Sequence, residues 1–107
     1  MDKELFDQYE EHEKITAKMS EVYRAKNADY GDSFHKSHIK HGAIAAIVRM
    51  DDKLQRVNQL LVHSNTQQVK DESVEDTLLD LANYAIMLIV ELRRAKHESI
   101  NYTQSVG

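Results

Sequence analysis

Proline is absent from all 107 residues and glycine occurs at only three positions, so the chain holds almost nothing that would break a helix once one has started. Glu, Lys, Leu, Ala and Gln, all strong helix formers, fill the space between. The expectation is an all-α domain. With 41% hydrophobic residues the chain suits one modest core, because domains commonly hold about 100–150 residues. One domain over residues 1–97 is expected, with 98–107 as a peripheral C-terminal tail.

Apolar residues recur at three- and four-residue steps in three stretches. Leu5, Phe6, Tyr9, Ile15, Met19, Val22 and Tyr23 mark a first helix, from about Asp2 to Lys26. Ile44, Ile47, Val48, Leu54 and Leu61 mark a second, from Gly42 to about Val62. A third runs from Ser73 to about Lys96. Ser73 followed by Asp76 resembles a capping box, and Arg93, Arg94 and Lys96 suit the negative end of the helix dipole. The connection from His63 to Glu72 is polar and aperiodic. An antiparallel bundle of three main helices follows, with a chemically loaded loop, Lys26 to Ser33, between the first two.

Such a bundle buries a thin core in isolation. On the third helix, Leu78, Leu79, Leu81, Ala82, Ala85, Ile86, Leu88, Ile89 and Leu92 cover more than half the circumference at 100° per residue. A helix of that kind wants neighbours on several sides, which points to completion by homo-oligomerisation.

Composition removes several function classes. Fourteen basic against eighteen acidic residues leave a formal charge of −4, which argues against general nucleic-acid binding. There is no cysteine, hence no disulfide, thiolate metal site or cysteine nucleophile. The longest apolar run, Ala85 to Val90, is too short to span a bilayer. With no basic-plus-apolar leader, the cytoplasm is the simplest compartment.

Three polar sets are candidates for chemistry. Asp76, Asp80, Asn83 and Met87 stack on one face of the third helix, where Asp80 with Asp76 or Asn83 could offer oxygens to a hard cation such as magnesium. The plainer alternative is a solvated face. On the second helix Arg49, Lys53 and Arg56 share a face with Asp52 and could grip phosphates; an Asp52–Arg56 ion pair on a solvated face is the ordinary alternative. Asp51 falls in the arc of Ile44, Ile47 and Val48, so either Asp51 or Asp52 could meet the third helix. The third set is Lys26, Asn27, Asp29 and Tyr30, whose donors, acceptors and ring exceed what a spacer needs, although Asn27, Asp29 and Gly31 are also ordinary turn residues. His35, His38 and His41 are read as part of a partly solvated loop and not as a zinc site.

Three blocks carry a resemblance: Lys26-Asn27-Ala28-Asp29-Tyr30-Gly31-Asp32-Ser33, Lys53-Leu54-Gln55-Arg56-Val57 and Asp80-Leu81-Ala82-Asn83-Tyr84-Ala85-Ile86-Met87. In content and order they resemble the largely phage-borne nucleotide-modification-associated domain family, over roughly Tyr23 to Leu92. More remotely the chain is similar to the all-α nucleotide pyrophosphatases, the MazG proteins and dimeric dUTPases. That resemblance implies a Mg-dependent pyrophosphohydrolase of phage nucleotide metabolism, acting in the host cytoplasm. Asp80 would hold metal with Asp76 or Asn83 and with Asp51 or Asp52; Arg49, Lys53 and Arg56 would take phosphates, and Tyr30 and Asn27 base or sugar. The departure is on the second helix, where those enzymes carry two glutamates three residues apart and this chain has Asp51 and Asp52 beside Arg49 and Lys53. Fewer carboxylates and more cations leave a second implication open, a non-catalytic protein that sequesters a nucleotide signal against host defence.

Overall fold

A computed structural model describes residues 5–30, 32–63 and 71–106, with the backbone alone for Tyr30, Asp71, Glu72, Ser73, Ser105 and Val106. Every element among them is helical: α1 Gln8–Tyr30, α2 Ser33–His41, α3 Ile44–Asn58, a π-helical turn Gln59–His63, and α4 Asp71–Val106. The chain divides into two compact units, Met1–Asp32 and Ser33–Gly107. None of the described helices is long and apolar enough to cross a membrane.

In the first unit, α1 starts six residues later than its apolar pattern suggests, because Asp7 caps it. The Asp7 carboxylate accepts from the backbone N–H of Tyr9 at 3.0 Å and of Glu10 at 3.2 Å, satisfying two of the donors a helix start leaves bare. At its other end α1 runs through Lys26, Asn27, Ala28 and Asp29 to Tyr30. The expected loaded loop is thus mostly the last turn of a helix. Asn and Asp cost a helix well under 1 kcal/mol each relative to Ala, and no stronger breaker precedes Gly31. Asp32 adopts a left-handed φ of 62°, a conformation that Asp tolerates better than most residues. Its N–H donates to the Asn27 carbonyl five residues back, at 3.3 Å, a bond of the type that closes helix C-termini. Gly31 itself lies outside the described residues.

The second unit contains a helix where a His- and Lys-rich loop was expected. Residues Ser33–His41 form α2, and Gly42 ends it with φ 78° and its N–H donated to the His38 carbonyl at 2.7 Å. Residues 64–70 of the expected polar connection lie outside the described set, as does the Ser73 side chain; the backbone of α4 is already helical at Asp71. At its far end α4 continues past His97 to Val106, although the apolar pattern stops. Helix propagation needs only the absence of a breaker, whereas periodicity reports burial.

The packing of α3 on α4 inverts the expected polarity. Arg49 meets Tyr84 and Lys53 meets Asp80, so an advance of four residues on α3 matches a retreat of four on α4. The two helices are antiparallel in register. Ala46 and Val57, on the same α3 arc, are buried. The α4 side of the seam is the series Thr77, Asp80, Tyr84, Met87 and Glu91, all within an arc of about 80°, with Thr77 and Glu91 buried and the rest half-buried. Much of the apolar arcs expected to form the core is exposed: Ile44, Ile47, Val48 and Leu54 of α3 and Leu78, Ile86, Ile89 and Leu92 of α4, while Leu79, Leu81, Ala82 and Leu88 are half-buried.

Candidate functional site

The α3–α4 seam gathers the polar chemistry of the second unit because of where its residues fall on each helix. Arg49, Lys53 and Arg56 lie within about 60° of one another around α3, Arg56 in its last turn. Lys53 Nζ stands 3.2 Å from Asp80 Oδ2, with both side chains 31% exposed. One turn along α4, the Arg49 guanidinium carbon sits 5.8 Å from the centroid of the Tyr84 ring. Attraction between a cation and the negative face of an aromatic ring holds such a pair. Phe34, in the first turn of α2, brings a second ring to within 6.1 Å of Tyr84 at an interplanar angle of 33°. Three helices therefore converge on Tyr84.

Two further turns along the same face of α4 is a buried carboxylate. Glu91 is 4% exposed and meets His35 Nδ1 of α2 through both oxygens, the Oε2 contact at 3.1 Å. Arg94 Nε lies 3.6 Å from Glu91 Oε1. A carboxylate is costly in such a place unless it is hydrogen-bonded and balanced by charge, and Glu91 has both. His38, one turn beyond His35, holds a buried Nδ1 with no hydrogen-bond partner. His41 is exposed.

The residues expected to act together belong partly to each unit. Lys26, Asn27 and Asp29 belong to the first unit, Lys26 and Asp29 exposed and Asn27 half-buried; the Tyr30 side chain lies outside the described residues. In the second unit Arg49, Lys53, Arg56, Asp80 and half-buried Asn83 line or flank the seam. The other candidate carboxylates do not join them. Asp51 is exposed on the outward arc, where it accepts a hydrogen bond from Gln55 at 2.9 Å, and Asp52 and Asp76 are exposed as well. Lys53 reaches α4 at Asp80, on the arc of α3 where Ala46 and Val57 are buried. Among the described residues no three His, Asp or Glu side chains group as a metal ion would need.

Sequence patterning missed Tyr84, Phe34, His35 and Glu91. The signal for Glu91 is present: a lone carboxylate in Leu88-Ile89-Val90-Glu91-Leu92, in step with Asp80, Tyr84 and Met87. For His35 the signal is weaker, a spacing of three residues from His38 that becomes a shared face only once the segment is helical.

The seam, α2 and the end of α1 all fall within one stretch, residues 26–92, which matches the family model described as nucleotide modification associated domain 1. No curated protein matches the chain, and no solved structure does. The match spans more than half of the sequence, and the chain belongs to this family.

Proposed function

We propose that this member of the nucleotide modification associated domain 1 family binds a nucleotide or nucleotide-derived ligand along the α3–α4 seam. The observation that carries the reading is the Arg49–Tyr84 stack one turn from the Lys53–Asp80 pair. Guanidinium and ammonium groups suit phosphate oxygens, the first as a planar fork and the second as a point charge. An aromatic ring beside them suits a base, which stacks on any exposed π-face. Arg49 and Lys53 take phosphates in this proposal, Arg56 extends the cationic strip, and Tyr84 with Phe34 receives the base.

Lys53 bears on the metal question. Its ammonium neutralises Asp80, and among the described residues no three His, Asp or Glu side chains group together, so the donor set does not fit a protein-held magnesium cage. Magnesium enters this account as the counter-ion a nucleotide carries on its own phosphates. Binding of the ligand needs nothing further from the seam, and a MazG-like magnesium site built from Asp51, Asp52, Asp76 and Asp80 is not part of this reading. A screen of nucleotides by thermal shift tests the proposal. A ligand at one hundred times its dissociation constant stabilises by about 2.7 kcal/mol.

The outward apolar arcs support a second element of the proposal, a homo-oligomer. Ile86 and Ile89 are 46% and 47% exposed, and Ile44 and Val48 54% and 52%. In the second unit the described buried hydrophobic residues are Ala46 and Val57. So little burial cannot offset the ordering of about seventy residues, each costing about 1–2 kcal/mol of backbone entropy. A second copy carrying the same arcs supplies the missing core.

A further inference from the structure

The His35–Glu91 pair lies outside the proposed grip on phosphates, and its chemistry is of a different kind. Glu91 is buried and His35 only partly so, with 23% of its side chain exposed. An ionised carboxylate can only accept a hydrogen bond, so Nδ1 of His35 carries the hydrogen and donates it to Glu91. The neutral ring then keeps its lone pair on Nε2, on the opposite side. A carboxylate that fixes tautomer and ring orientation is the arrangement by which a histidine is held ready to take a proton. Arg94, 3.6 Å from Glu91 Oε1, sets a permanent positive charge beside the carboxylate.

We propose that His35 is the general base of a hydrolytic site acting on a nucleotide phosphoanhydride, with Glu91 as its positioning residue. The inference rests on the reading of the seam as a nucleotide site. Glu91 is seven residues from Tyr84, about 10 Å along α4, and His35 directly follows Phe34, whose ring lies against Tyr84. Arg49 meets the same Tyr84 ring from α3, and the proposal sets the phosphate it holds between these two layers. Water attached by hydrogen bond to Nε2 attacks phosphorus; the new O–P bond forms as the bridging P–O bond breaks. The bridging electron pair leaves on the departing phosphate. The proton of the attacking water passes to Nε2 and is later released to solvent, while Glu91 remains a carboxylate throughout. Among the described residues, His35 meets Glu91 of α4, Arg94 meets the same carboxylate, His38 follows one turn along α2, and Arg49 meets Tyr84 from α3.

His35→Asn is the decisive variant, because the asparagine amide retains a donor where Nδ1–H stands and lacks the second nitrogen. Nucleotide binding is followed by calorimetry and turnover by phosphorus NMR, with magnesium nucleoside triphosphates as the probe. The expected result is a wild-type chain that releases phosphate products. His35→Asn keeps nucleotide affinity within about threefold and loses roughly 10²- to 10⁴-fold in rate; Glu91→Gln falls between. Wild-type binding with no product overturns the proposal, and so does a His35→Asn variant that turns over at the wild-type rate. Absence of binding to any nucleotide fails one step earlier, at the seam, and removes this proposal with it.

Discussion

Lys53 Nζ lies 3.2 Å from Asp80 Oδ2 across the α3–α4 seam, and the sign of that contact separates two accounts of the same residues. Were Asp80 a metal ligand, its removal would cost affinity. In the cationic account Asp80 competes with phosphate for Lys53. At this exposure the pair itself stabilises the fold by at most about 1 kcal/mol, so either partner can be changed without unfolding the helices.

Asp80→Asn is accordingly expected to tighten nucleotide binding by about twofold to fivefold, and Lys53→Ala to weaken it about tenfold, a loss of roughly 1.4 kcal/mol. Calorimetry without magnesium measures both. Raising the salt concentration should erode the wild-type affinity and leave Lys53→Ala less sensitive, because screening acts on the charge that has been removed. Weaker binding in Asp80→Asn would return that carboxylate to a ligand-holding role.

The outward apolar arcs predict the assembly state. Wild-type chain at micromolar concentration should sediment as a dimer or larger species, and Ile86→Lys with Ile89→Lys should shift it toward monomer with lower thermal stability. Equilibrium ultracentrifugation reads both. A monomeric wild-type chain with a stable, cooperative melt would show that the arcs are covered within the chain.

The α2–α3 corner turns on one backbone angle. Gly42 has φ 78° and nothing within 4 Å of where a Cβ would sit, so Gly42→Ala meets no clash and its cost is conformational. Urea denaturation should show a loss of about 1–2 kcal/mol, and Gly42→Asn a smaller one. Equal stability of glycine and alanine would mean the corner relaxes out of the left-handed region.

These elements show what could be read from residues and what could not. Helicity was legible because breakers are rare: no proline occurs and Gly42 ends α2. The boundaries were less so, since Asp7 capping delays α1 and propagation carries α4 beyond its apolar pattern. The direction each face points was not legible. Periodicity groups Ile44, Ile47 and Val48 on one arc of α3, but whether that arc meets α4 or another surface depends on what else can cover it. The opposite arc pairs with α4 through half-buried Lys53 and exposed Arg49, whose heads meet Asp80 and Tyr84. Lys53, Arg49, Asp80 and Asn83 could be picked out as chemical candidates by composition of their faces. Tyr84, Phe34, His35 and Glu91 required knowing that Ser33–His41 is a helix seated beside α4.

The central claim is that the seam grips a nucleotide through its own cations. Titration of a panel of nucleoside mono-, di- and triphosphates into the wild-type chain by calorimetry, with chelator present, tests it most directly, with Arg49→Ala as the paired variant. The account predicts saturable metal-free binding of at least one nucleotide, weakened about tenfold or more in Arg49→Ala while the circular dichroism melt is unchanged. No heat from any nucleotide, or binding that Arg49→Ala leaves untouched, would contradict it.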